Sequence, residues 1–219
     1  INNNVGQIQY TTGNGAASAS ITSGGLPLGV NAIFSSGVLT ISGTALEAGT
    51  FNYVVSTVGG CGVASLSGVI IVKPEVTLTL TSAPISTIQS VCMNVLIIPI
   101  KYSVTNGATG ASVSGLPTGI TGVYNGGVFT ISGSTSQLGP FSYVVTTVGG
   151  CGSATQNGTI TVNPNVTIAL TSAPATTLQT LCIDNPITPI TYVVNNGATG
   201  ASLVAGTVPD GIQGSFNPI

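Results

Sequence analysis

The fold of this chain is decided by the stretch Phe51-Asn52-Tyr53-Val54-Val55-Ser56-Thr57-Val58-Gly59-Gly60-Cys61-Gly62, because the chain contains it twice. Its second copy is Phe141-Ser142-Tyr143-Val144-Val145-Thr146-Thr147-Val148-Gly149-Gly150-Cys151-Gly152, at an offset of 90 residues. In both copies large apolar residues alternate with polar or smaller ones until a Gly-Gly pair interrupts the pattern. A two-residue period that ends in turn residues is typical of a β-strand with one buried face.

Two further landmarks show that the repetition extends along the chain. Val76–Pro84 returns as Val166–Pro174 at the same offset, and a Pro-x-Gly landmark occurs at 26–30, 116–120 and 208–212. A period near 90 residues is typical of one small domain and is too long for a solenoid turn. About seven short alternating strands in each period predict an all-β chain made of tandem β-sandwiches.

Two prolines mark the predicted domain boundaries. They follow the strand patterns that end at Lys73 and Asn163, and proline cannot donate to a strand ladder. The short junctions predict a stiff, rod-like array. The predicted units are a first repeat that lacks its N-terminal strand, one complete repeat and the N-terminal part of a third, at residues 1–74, 75–164 and 165–219. We therefore expect the chain to be an excerpt from a longer array.

The composition excludes several classes of function. Only six of the 219 residues are charged, and His and Trp are absent, whereas soluble proteins carry about 25% charged residues. Two basic residues cannot neutralise a row of phosphates, so binding to nucleic acid is excluded. The apolar runs are far shorter than the roughly 20 residues that a spanning helix needs, so membrane insertion is not expected.

The charged residues also fail to recur in the repeat, whereas turn glycines such as Gly59 and Gly149 do. Acid–base catalysis and metal binding need His or grouped carboxylates, which this sequence lacks. We therefore predict that the protein is not an enzyme and has no catalytic residues, no cofactor-binding residues and no metal ligands. The six charged residues are Glu47, Lys73, Glu75, Lys101, Asp184 and Asp210.

Four cysteines, Cys61, Cys92, Cys151 and Cys182, give one residue of each of two types per period. Their spacing does not fit a metal site, so disulfide bonds in an oxidising compartment are expected. One pairing joins Cys92 to Cys151 within a domain and leaves Cys61 and Cys182 with partners outside the excerpt. The other joins Cys61 to Cys92 and Cys151 to Cys182. The first is favoured, because the counterpart of Cys92 in the first repeat would fall just before Ile1.

Several motifs carry a resemblance to a known repeat family: Gln89–Cys92, Gly115–Ile120, Gly127–Gly133, Gly139–Val145 and Gly149–Gly152. Together they resemble the tandem Ig-like and PKD-like repeats of giant Bacteroidota cell-surface adhesins. These include gliding-motility adhesins, which are substrates of the type IX secretion system. The resemblance implies Ig-like β-sandwiches, a cysteine pair within each domain and a secreted, extracellular location at the cell surface.

These observations lead to two alternative functions. The favoured hypothesis is a structural stalk or filament segment that projects an adhesive region from the cell. Its expected partners are neighbouring repeats of the same chain and the secretion or anchoring machinery of the outer membrane. The alternative is an Ig-like module that binds surface glycans. Exposure of Phe34, Tyr124 and Phe216 on one rim would favour glycan binding, whereas their burial would favour the stalk.

Overall fold

The computed structural model describes residues 4–202 and 211–217. The described residues form sixteen β-strands and two single turns of 3₁₀ helix, with no α-helix among them. Their β-sheets confirm the predicted all-β class. Every strand pairing among them joins strands on the same side of the predicted junctions at Pro74 and Pro164. Residues 208–210, part of the third Pro-x-Gly landmark and including the charged Asp210, lie outside the described residues.

The first repeat consists of two three-stranded antiparallel sheets, with strand orders β1-β4-β3 and β2-β5-β6. Leu39 and Ile41 of one sheet pack with Tyr53 and Val55 of the other in a single apolar cluster. The alternating residues of the repeated stretch thus face a shared core, as the period predicts. The strands are β1 Asn4–Thr11, β2 Ser18–Gly24, β3 Val30–Ser35, β4 Val38–Thr44, β5 Gly49–Val58 and β6 Ser65–Val72.

The second repeat has two four-stranded sheets, with orders β11-β12-β9-β7 and β10-β13-β14-β8. All its strand pairs are antiparallel except that of β8 with β14, which is parallel. The strands are β7 Thr77–Leu80, β8 Ile88–Cys92, β9 Ile100–Thr105, β10 Gly110–Ser114, β11 Ile120–Asn125, β12 Val128–Gly133, β13 Gly139–Val148 and β14 Thr155–Asn163. A 3₁₀ turn, Pro84–Thr87, carries the chain from β7 in one sheet to β8 in the other.

The second core is more completely closed than the first. Phe129 and Ile131 face Tyr143, Val145 and the apolar residues of β14 across the sandwich, and these side chains are almost wholly buried. The third repeat begins in the same way as the second, with β15 Thr167–Leu170, a 3₁₀ turn at Pro174–Thr177 and β16 Tyr192–Asn195. β15 and β16 pair as a two-stranded antiparallel sheet.

Candidate functional site at the ends of the repeats

The Gly-Gly-Cys-Gly turn of the second repeat lies where the chain enters that repeat. Val76 N–H donates a hydrogen bond to Cys151 O at 2.9 Å, and Cys151 forms an isolated parallel bridge with Glu75. Gly149 and Gly150 have φ angles of 74° and 77°, and a Cβ atom on Gly150 would collide with Val76 Cγ1. The turn therefore requires glycine, and it holds Cys151 against the first residues of the repeat.

Cys92 lies at the opposite end of the same repeat. It is the last residue of β8 and is paired with Asn163, the last residue of β14, and Met93 N–H donates to Asn163 O at 2.9 Å. β14 begins at Thr155, just after the turn that holds Cys151, and its nine residues span about 26 Å from the first Cα to the last at about 3.3 Å per step. The two cysteines of one repeat are therefore separated by the length of the sandwich.

This arrangement corrects the predicted disulfide between Cys92 and Cys151. A disulfide needs Cα atoms within about 7 Å of each other, and all four cysteines are free thiols in the structure. The alternative bond between Cys61 and Cys92 joins residues that each lie at the end of their repeat farthest from Pro74. That Cys61 and Cys182 pair with cysteines beyond the four of this sequence stays a prediction.

The structure reveals a buried glutamine that the sequence analysis did not single out as a site. Gln89 Nε2 donates to Ser86 O at 2.6 Å and to Ile98 O at 2.8 Å, while Ile98 N–H donates to Gln89 Oε1 at 2.7 Å. Gln179 makes the same three kinds of bond in the third repeat. The side chain clamps the segment between β8 and β9. The signal that could have found it is the recurrence of Gln three residues before Cys92 and Cys182.

A hydrogen-bonded tyrosine pair joins the two sheets of each of the first two repeats. Tyr10 Oη lies 3.0 Å from Tyr53 Oη, and Tyr102 Oη lies 3.3 Å from Tyr143 Oη. Burial, followed by the hydrogen bond with Tyr10, raises the pKa of Tyr53 to about 12. Burial and the Tyr102 partner also raise the pKa of Tyr143 well above its ordinary value. Both shifts favour the protonated phenol, so these tyrosines are structural hydroxyls at neutral pH.

Among the charged residues, Glu47 makes a described side-chain hydrogen bond, and the role of that bond is structural. Glu47 Oε1 accepts a hydrogen bond from Leu28 N–H at 2.9 Å, and in the second repeat Gln137 Oε1 accepts from Thr118 N–H at 2.8 Å. The neutral amide accepts the same kind of backbone hydrogen bond as the carboxylate. The two repeats therefore share the hydrogen bond and not the charge. In the described part of the chain, no three His, Cys, Asp or Glu residues gather in a group that could hold a metal ion.

The three aromatic residues whose exposure would favour glycan binding do not form an exposed flat surface. Phe34 and Tyr124 are half-buried and pack against the first and second cores, and Phe216 is also half-buried. Two shallow hollows of about 370 and 380 Å³ lie on the first repeat. The second hollow is lined by residues of the three adjacent strands β2, β5 and β6, among them Gly24, Tyr53 and Gly68. None of the helical turns in the described residues is long and apolar enough to cross a membrane.

Comparison with known proteins shows the fold. No family model and no curated protein matches this sequence. Among solved structures, the I-band fragment I67-I69 from titin aligns with a TM-score of 0.55 and 11% identity, over 76% of this chain and 62% of the titin fragment. An E-to-A variant of the same three titin domains gives the same values. The repeats are Ig-like β-sandwiches.

This likeness is limited to architecture. The chain spans 62% of the length of those titin fragments, and at 11% identity the alignment shows the fold alone. An endo-fucoidan hydrolase from glycoside hydrolase family 107 aligns at a TM-score of 0.30, over 72% of this chain and 26% of the hydrolase. Ig-like folds carry many unrelated functions, so the function must be argued from the residues of this chain.

Proposed function

We propose that this chain is a stalk segment of a secreted cell-surface adhesin, in which tandem Ig-like repeats hold an adhesive region away from the cell. The proposal is carried by one observation: the contacts that recur between repeats hold the scaffold together, whereas charges do not recur. The acceptor for the Leu28 N–H is a carboxylate in the first repeat, and the matching acceptor in the second is the amide of Gln137. Selection for a spacer preserves such contacts and leaves surface charge free to vary.

The inward aromatics support the stalk over the alternative of a glycan-binding module. Sugar-binding sites contain exposed aromatic rings, but Phe34 and Tyr124 each bury part of their side chain against a core. The described carboxylates, Glu47, Glu75 and Asp184, belong one to each repeat, so no repeat has in its described residues the pair of carboxylates that glycoside hydrolysis uses. The proposed role is therefore mechanical and non-enzymatic, and the proposed location is outside the cell.

Two experiments on the full chain test this proposal. In single-molecule pulling, unfolding of the complete repeat should release about 30 nm of chain, since extended residues span about 3.3–3.6 Å each. On a glycan array, the protein should show no saturable binding. Saturable binding that Tyr124→Ala abolishes while an exposed-site control, Thr121→Ala, retains it would establish the glycan-binding alternative.

The location has its own test. An antibody raised against the full chain should label intact source cells without permeabilisation. Labelling that requires permeabilised cells would contradict the proposed surface location, whatever the result of the pulling experiment.

A further inference from the structure

The two cysteine types lie at opposite ends of a repeat, and each lies next to a junction. Cys151 is bridged to Glu75, the residue that follows Pro74, and Cys92 is paired with Asn163, the residue that precedes Pro164. A repeat therefore carries one cysteine where the chain enters and one where the chain leaves.

The third repeat starts with the same backbone contact as the second. Asn106 Nδ2 donates to Glu75 O at 2.9 Å, and Asn196 Nδ2 donates to Asn165 O at 2.7 Å. Asn165 thus takes the place of Glu75. In any complete repeat that occupies this position, the Gly-Gly-Cys-Gly turn would lie against Asn165, as Cys151 lies against Glu75.

These positions bring two cysteines of successive repeats close to one short piece of chain. Cys92 lies one strand spacing, about 4.8 Å, from Asn163. The turn cysteine of the next repeat would lie one spacing from Asn165, and two residues span at most about 7 Å. With both cysteines on the same side of Pro164, their Cα atoms are about 7 Å apart, the upper limit for a disulfide.

We propose that disulfide bonds in this array join successive repeats across each junction. Each bond links the cysteine at the end of the β8-type strand in one repeat to the cysteine of the Gly-Gly-Cys-Gly turn in the next. Cys92 pairs forward and Cys151 pairs backward. The bond restricts the rotation of one repeat relative to the next. It adds a second covalent connection beside the main chain at the junctions marked by Pro74 and Pro164.

The chemistry of the bond is thiol–disulfide exchange with an oxidised low-molecular-weight disulfide, such as glutathione disulfide. One cysteine, as its thiolate, attacks a sulfur of the oxidant, forming a mixed disulfide and releasing one thiol. The second cysteine then attacks the mixed disulfide and releases another thiol. The two protein thiols lose two protons and two electrons, and the oxidant is reduced to two thiols. Cys92 is exposed and Cys151 is half-buried, so the reagent can reach both.

The inference goes beyond the proposed stalk function and does not rest on it, because it follows from the positions of the cysteines in the fold. An array linked in this way would resist twisting and hinging at every junction. Failure of the glycan or pulling experiment would leave the linkage standing, and failure of the linkage would leave the stalk standing.

The test adds one cysteine of the Cys92 type to the full chain. A copy of residues 76–92 is added directly before Ile1, where the sequence alignment of the repeats places it, since Ile1 aligns with Met93. The protein is refolded with glutathione disulfide, its free thiols are alkylated, and it is digested with chymotrypsin and elastase without reduction. Mass spectrometry should find the added cysteine linked to Cys151, with Cys61 alkylated.

Matched variants make the result decisive. Cys151→Ser should leave the added cysteine unlinked, and Cys61→Ser should leave the link in place. A bond between the added cysteine and Cys61 would establish the intradomain scheme and overturn the proposal. Alkylation of all five cysteines would overturn it as well.

Discussion

The first and second repeats share nearly the same inner residues, but they differ at one edge. Strand β14 of the second repeat pairs with β8 on its outer side, whereas β6, its counterpart in the first repeat, has no such partner among the described residues. Val162 in β14 is 2% exposed, whereas its counterpart Val72 in β6 is only half-buried. Ile160 is wholly buried and its counterpart Ile70 is 8% exposed. The difference teaches that the parallel strand β8 closes the sandwich, although it contributes few core side chains of its own.

The 3₁₀ turn before β8 also marks a difference between the two repeats. In the second repeat a Cβ atom on Gly158 would collide with Tyr143 Oη and with Thr87 O of that turn. In the first repeat the three atoms nearest to a Cβ atom on Gly68 all belong to the side chain of Tyr53.

The largest expected effect separates the two cores. Ile41 and Ile131 occupy matching positions and are both fully buried, so replacing either by alanine should cost about 2–5 kcal/mol of its repeat's stability. Ile131→Ala should lower only the higher unfolding transition in calorimetry, and Ile41→Ala only the lower one. A single transition that moves equally with both variants would show that the repeats unfold as one unit.

The second effect concerns the glutamine clamp. Gln89→Leu leaves the N–H and the C=O of Ile98 without their partner, which should destabilise the second repeat by about 1–3 kcal/mol. Gln179→Leu is the matched control, since it removes the same clamp from the third repeat. Urea titration should show a loss in the second repeat only for Gln89→Leu, and an equal loss with Gln179→Leu would argue against a local clamp.

Sequence reasoning predicted the β-sandwiches correctly because the period of two determines which residues face the core. The order of the strands in each sheet could not be predicted. Alternation shows which side chains of a strand face the core, but it does not show which strands are neighbours. The Gln89–Cys92 segment was known as a motif, yet its parallel pairing with β14 was not expected. The disulfide prediction was wrong for the same reason: one cysteine of each type per period does not reveal that Cys92 and Cys151 lie at opposite ends.

A third effect, similar in size to the second, tests the role of the 3₁₀ turn before β8. Gly158→Ala should destabilise the second repeat by about 1–3 kcal/mol through overpacking, because Thr87 O belongs to the backbone and cannot move away easily. Gly68→Ala should cost less, since the tyrosine side chain it meets borders an open hollow. Equal losses in thermal melts of the two variants would mean that the turn does not distinguish the repeats.

The smallest effect appears only at alkaline pH. The folded state raises the pKa of Tyr53 to about 12, above the ordinary value of about 10, so folding favours the protonated phenol. The stabilisation is complete below about pH 10 and is lost as pH rises towards 12. The urea midpoint of the first repeat should therefore fall over that interval, and Tyr53→Phe should flatten the fall. An unchanged slope in Tyr53→Phe would assign the alkaline loss to other groups.

Hydrogen exchange in β14 and β6 tests the central claim most directly, that β8 closes the second repeat while β6 has no partner strand on its outer edge among the described residues. Amides of β14 between Thr159 and Asn163, which lie along β8, should exchange only when the second repeat unfolds. The outward-facing amides of β6 between Val69 and Val72 should exchange at rates typical of an exposed edge strand. Equal protection of the two strands in the full chain would contradict the account.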